Sequence, residues 1–496
     1  MTTNTWNDGY CTEIGYTYGY YPNLNPLFAK MAFLQKGIRF PDCIETACEL
    51  GFGQGISLNI HAAASDTVWY GTDFNPAQAS FAKDLASVSG AHVFDDSFQD
   101  FVHNKSLPDF DFIGLHGIWS WVSAANRQAI VDFIAKKLKV GGVLYISYNT
   151  FPGWAAMAPV RHLMMQHVEA LGASGHGIEH NVANAMDFMA TIFASQTAFE
   201  RAQPMAKQRF EEAKTKDSHY LAHEYFNKDW EPCYFTDMNA WLSQAKLSYA
   251  ASASLFDNMD TLILSQDQQK VVDAIKDPVL NQQVRDYMIN QQFRRDLWVK
   301  GLRPIHADAG VRAFMVVLPK QAADVPLENA CPRGTITLKQ EQLSPILAIL
   351  EDHKPHSMAE LEEKIPNQSL ATLWQTIGVL VGAGHVYPVE ATIRPETQRR
   401  SKNLNQMIAN SAESISTCAG PVIGGGLPVN EIDQLFLVAD GDLANSALQA
   451  LKKRGRRPVK EGKALENDDE ALAELQIMAE KFRQDRLPVY KALGIV

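Results

Sequence analysis

Glu49, Gly51, Gly53 and Gly55 stand at alternate positions in ETACELGFGQG (45–55), at the end of an apolar run. Glycines at that density let a ligand approach the backbone, and the acidic residue ahead of them narrows the choice of ligand. Dinucleotide loops favour G-x-G-x-x-G. Here the spacing differs, and a carboxylate at Glu49 repels a pyrophosphate but holds an α-ammonium group, directly or through water. S-adenosylmethionine (SAM) carries such an ammonium and no pyrophosphate. Asp73 follows Gly51 by 22 residues, where a carboxylate accepts hydrogen bonds from both ribose hydroxyls. Phe74 offers a flat face to a purine, and Asp95, Asp96 and Ser97 offer acceptors for its exocyclic amine. Each piece has a plainer role available, the loop as a tight turn and a lone Asp as a helix cap. Together and in this order they point to SAM, with S-adenosylhomocysteine (SAH) as product.

Methyl transfer from a sulfonium is an in-line displacement that needs an oriented acceptor lone pair and a dry pocket, not a covalent nucleophile. The groups available at the pocket mouth are His116, Trp119 and Trp121, then Tyr148, Asn149 and Trp154, and the tyrosines Tyr16, Tyr18, Tyr20 and Tyr21 near the N-terminus. His116, Trp119, Tyr148 and Asn149 are the catalytic candidates, His116 being a candidate for cofactor binding as well; Trp121, Trp154 and the four tyrosines are candidates for binding the acceptor. On position alone His116 reads as a general base or as a structural hydrogen bonder. A lysine acceptor, with its ordinary pKa near 10.4, must first lose a proton. An aromatic pocket favours the neutral amine by desolvation and holds a methylated ammonium by cation–π attraction.

These residues sit where an α/β fold would place them. Short apolar runs at 43–50, 68–73, 91–96, 110–116 and 142–149 read as five strands. Helices are expected at 55–64, 76–88 behind Asn75-Pro76, and 124–138. In such open sheets ligands bind beyond the carboxyl ends of the strands, where every residue named above between 40 and 150 falls.

The segment LKVGGVLYIS resembles the turn into the fifth strand of class I SAM-dependent methyltransferases. HGIWSWVS (116–123), SYNTFPGW (147–154), YLAHEYFNKDWEPCYF (220–235), AGPVIGGGLPVNEIDQLFL (419–437) and RLPVYKALGIV (486–496) resemble the group of these enzymes that carries a methyltransferase regulatory domain. Some members of that group methylate lysines of bacterial outer-membrane proteins. The resemblance runs nearly end to end and implies methyl transfer to a nucleophilic N or O acceptor, above all protein lysine. The leader IGYTYGYYPNLNPLF (14–28) departs from the group's pattern, which keeps a surface glycan, lipid precursor or small metabolite open as acceptor. A non-catalytic SAM-binding scaffold would have no use for the full cofactor set.

The resemblance implies a Rossmann-like sheet of seven strands, the last antiparallel. Residues 1–40 are then an aromatic leader or lid, 41–155 the SAM-binding core, and 156–234 a helical insertion suited to acceptor binding or homodimer contact. A regulatory region at 235–325 completes the sheet with strands from 235–255 and 311–319; a winged-helix-like module (335–395) and a helical C-terminal domain (396–496) follow. The helix SLATLWQTIGVLVGAG, which would enter a DNA groove, has no lysine or arginine, so the module reads as a protein contact. The net charge of -11 also disfavours nucleic acid. The basic run KKRGRRPVKEGK (452–463) reads as a solvated turn. Six scattered cysteines without a CxxC pair imply reduced thiols in a cytoplasm and no metal centre. No run of about 18 uncharged apolar residues suggests a membrane span.

Overall fold

The computed structural model describes all residues except 1–17, 173–177, 217–220, 222, 223, 228 and 391. Its organising element is a seven-stranded sheet. The strands are β1 (Thr46–Leu50), β2 (Val68–Thr72), β3 (His92–Phe94), β4 (Phe110–Leu115), β5 (Leu138–Asn149), β6 (Ser248–Ser252) and β7 (Phe293–Val299). Their order is β3-β2-β1-β4-β5-β7-β6. β1 to β5 run parallel, whereas β7 lies antiparallel to both β5 and β6. Helix α1 (Pro26–Gln35) follows the leader, and α2 (Ile56–Ala64) and α3 (Pro76–Ser89) connect the first three strands. Asn75 caps α3 by accepting from the Ala77 amide, with Pro76 at the first helical position. α4 (Phe98–Phe101) and α5 (Ala124–Lys137) follow β3 and β4. Two apolar cores flank the sheet: Ala47, Phe112 and Tyr145 lie on one side, and Cys48, Ile113 and Tyr148 on the other.

The expected completion of the sheet is half right. The 235–255 region supplies β6, but 311–319 does not join the sheet. Its strand Met315–Val317 pairs instead with His356–Ser357 and Tyr387–Pro388 in a separate three-stranded sheet. The helices Gln340–Leu350, Met358–Lys364 and Leu370–Gly382 sit between and beside these strands, so the three-helix module borrows a strand from upstream. The missing strand of the large sheet is β7, in a stretch whose charges hide it.

After β5 come α6 (Ala158–Leu171), α7 (Ile178–Ala194), α8 (Ala198–Ala202) and α9 (Pro204–Ala213). They share a core of their own that includes Met164. The C-terminal region is mostly helical, with two hairpins, Thr417–Gly420 with Gly425–Pro428 and Val459–Lys460 with Lys463–Ala464. Its basic run is tied down within the chain: Lys452 and Arg457 pair with Asp468, Arg454 and Arg456 with Glu431, and Lys460 with Glu474. Among the described residues, no helix is long and apolar enough to cross a membrane.

Candidate active site

At the carboxyl ends of β1, β2 and β4 the chain leaves a cleft of about 760 Å³, its open mouth included. The glycine loop forms its floor. Gly51, Gly53 and Gly55 have φ of +69°, +59° and +70°, a region L side chains rarely enter. A Cβ on Gly51 would lie 2.5 Å from Ile118, and one on Gly55 2.5 Å from Ala82, so backbone and space both demand glycine. Asp73, just past β2, fixes the loop: its carboxylate accepts from the Gly53 amide (2.8 Å) and the Asn75 amide (3.0 Å).

Glu49 lies in β1 between Gly71 of β2 and Gly114 of β4 and is 2% exposed. Its Oε2 is buried without a hydrogen-bond partner. Burial, with the nearby charge of Asp73, pushes its carboxyl up to about 8. Burial also pushes Asp73 up to about 6, against the two amides that favour its charged form. Across the cleft, His116 follows β4. Its Nδ1 shares a 2.7 Å hydrogen bond with Tyr145 Oη, and Tyr21 stacks on its ring at 4.0 Å. Burial and the Arg295 cation bring it down to about 3, so the imidazole is neutral. Phe74 and Trp121 complete the wall.

The family model described as "Predicted methyltransferase regulatory domain" matches residues 217–300, the stretch that supplies β6 and β7. The structure of PKMT2 from Rickettsia typhi in complex with AdoHcy superposes with a TM-score of 0.68 at 18% identity, over 97% of this chain and 100% of that chain. An uncharacterized protein of Rickettsia prowazekii is 26% identical over 343 residues, 64% of this chain and 59% of that protein. An uncharacterized protein of Synechocystis sp. is 37% identical over 511 residues, 99% of this chain and 100% of that one. The chain belongs to the class I SAM-dependent methyltransferases with a regulatory domain.

In this methyltransferase several expected residues lie away from the cleft. Trp119 is fully buried and packs edge-on to Trp241, with its carbonyl accepting from Arg127; it is core. Tyr148 is also core. Side chains alternate along β5, so Tyr145 and Ser147 face His116, while Tyr148 points to the opposite layer and donates to Asp296 at 2.6 Å. Asn149 is buried, its backbone amide donating to Ser120 Oγ and its side-chain Nδ2 unpartnered. Trp154 sits in the insertion's core against Trp230 (5.1 Å) and Tyr225 (6.1 Å).

At the end of β3, Asp96 accepts from Asn104 and Ser97 caps α4. Neither lines the cleft; Gln78 and Phe98 do, from the start of α3 and of α4. Of the leader tyrosines, Tyr21 lines the cleft. Tyr18 packs on Phe81 of α3, Tyr20 hydrogen-bonds His61 of α2, and Tyr16 lies outside the described residues.

Sequence reasoning missed Tyr145, Ser147 and Arg295. The signal for the first two was the alternation in β5 counted from His116's own layer. Arg295 is opposite Ser147 in the β5–β7 register.

Proposed function

We propose that the cleft seats SAM and that the enzyme methylates the side-chain amine of lysine in a protein substrate, acting in the cytoplasm. The observation that carries the cofactor placement is the buried, unpartnered Glu49 oxygen beside the glycine loop. A carboxyl that costs this much to bury calls for a cation, and the α-ammonium of SAM is one. Bound there, SAM supplies an electrophilic methyl group. Asp73 keeps acceptor capacity beyond its two backbone bonds for the ribose hydroxyls, and Phe74 covers the purine.

His116 is not a base poised near neutral pH, because burial and the Arg295 cation hold it neutral down to about 3. A lysine is therefore deprotonated by its surroundings. Tyr21 and Trp121 exclude water, and the Arg295 cation that depresses His116 acts in the same sense on an ammonium brought beside it. The PKMT2 name of the Rickettsia typhi neighbour points the same way. The test is transfer of isotope-labelled methyl from SAM into a lysate treated with and without protease. Label in protease-sensitive macromolecules, recovered as methyl-lysine, is expected. Label confined to small molecules or protease-resistant polymer would replace lysine with metabolite, lipid or glycan chemistry.

A further inference from the structure

Residues 18–25 run between the cleft and the C-terminal region, and their side chains divide between the two. Gly19 and Tyr21 line the cleft. Tyr20 turns away from it: its Oη lies 3.0 Å from His61 Nε2, and its ring lies against the Thr417–Gly420/Gly425–Pro428 hairpin. Asn25 Nδ2 donates to the Ile423 carbonyl (3.1 Å) at the tip of that hairpin, while the Tyr21 amide donates to Ser57 Oγ of α2 (2.9 Å).

The glycine triplet 424–426 shows which partner the hairpin is shaped for. Gly424 has φ +56°, so the turn itself requires it. A Cβ on Gly426 would lie 2.5 Å from Thr417 Cγ2, so the hairpin's own packing requires that one. Gly425 has neither reason. Its φ is not positive, and a Cβ there would meet Asn25 Nδ2 at 2.6 Å, Tyr20 Oη at 2.6 Å and His61 Cδ2 at 3.4 Å. Two of these groups belong to the leader and the third is the leader's anchor on α2.

We infer that the C-terminal hairpin is the seat of the leader and so builds one wall of the SAM cleft, with Tyr20, Asn25 and Gly425 as positioning residues for cofactor binding. The inference rests on the reading of the cleft as the SAM site. A leader that leaves its seat takes Tyr21 off His116, and apparent affinity falls in proportion to the fraction of molecules with the wall in place.

Two measurements on the full chain test this, with SAH as the probe. In Gly425→Ala, titration calorimetry should show SAH affinity weakened about tenfold or more, in a variant whose ligand-free thermal unfolding remains cooperative. Unchanged affinity in the folded variant overturns the proposal. Should the variant fail to fold, hydrogen exchange of the unsubstituted protein decides: SAH should protect the 417–428 hairpin together with 18–25, and protection confined to the cleft overturns the coupling. If the unsubstituted protein binds no SAH, the cofactor assignment itself falls and this inference with it, an outcome distinct from normal binding with an unmoved hairpin.

Discussion

Glu49 carries an electrostatic cost that a cationic ligand removes, and its sign is testable without knowing the acceptor. Its ordinary pKa of 4.5 is pushed up to about 8 in the fold. Between those values the folded, ligand-free protein holds a proton that the unfolded chain has released, so this group's contribution to stability falls as pH rises through the window and stays low above it. Glu49→Gln removes the charge that must be desolvated. The ligand-free variant should melt several degrees higher than the original protein at pH 8 and the same at pH 4, by calorimetry, while SAH binding weakens by about a hundredfold. Binding should also release a proton below pH 8, giving heats that depend on the buffer and an affinity that rises from pH 6 to about 7.5, before the ligand's own amine titrates. Asp73 is different, because it holds the loop as well as facing the cleft. Asp73→Ala leaves two amides without acceptors and should cost about 1–3 kcal/mol in urea unfolding on top of lost SAH binding. Glu49, the glycines and Asp73 were legible in the sequence because residue type and spacing encode them directly. Tyr145 and Tyr148 were confused because strand parity decides which one faces the site, and an error of one residue or three reverses the face.

β7 shows why the sheet was harder to read than its first five strands. The run RRD (294–296) looks like a surface turn, yet Arg294 and Asp296 are 6% and 1% exposed. Arg294 bridges Asp286 (2.5 Å) and Asp296 (3.0 Å), lies over the Phe235 ring at 4.5 Å, and shares Asp296 with Tyr148. Pairing among Asp286, Arg294 and Asp296, covered by Tyr148 and Phe235 from elements distant in sequence, is what makes charge tolerable there, and hydropathy along one segment cannot reveal it. The apolar VRAFMVVLP reads as one strand, but only Met315–Val317 is extended, Val311–Ala313 ending a helix, and its partners are in the three-helix module. Arg294→Met removes the cation from between two buried carboxylates and should destabilise the protein by about 3–5 kcal/mol in denaturant unfolding. By contrast, Lys270→Met, at an exposed i,i+3 pair with Asp267, should change stability by less than about 1 kcal/mol.

Across the whole molecule, the C-terminal region is built into the cofactor core. The helix Pro395–Asn410 packs on α2 and α3, where Leu404 and Ile408 share a cluster with Ile56, Ile60 and Leu85. Ser401 Oγ donates to the Ala63 carbonyl (2.9 Å) and Arg394 pairs with Asp66 (2.9 Å), joining residues more than 300 positions apart. Sequence patterning marks where helices begin and end but carries no signal for which distant helix covers which. A cluster shared by both regions couples their unfolding. Thermal unfolding followed by tryptophan fluorescence and by far-ultraviolet circular dichroism should therefore coincide in this region rather than show an early C-terminal transition. Leu404→Ala, which opens a cavity in that shared cluster, should cost about 2–5 kcal/mol. It should move both signals together; a variant that loses C-terminal helix first, with the core's transition unmoved, would show that the two regions fold as independent units.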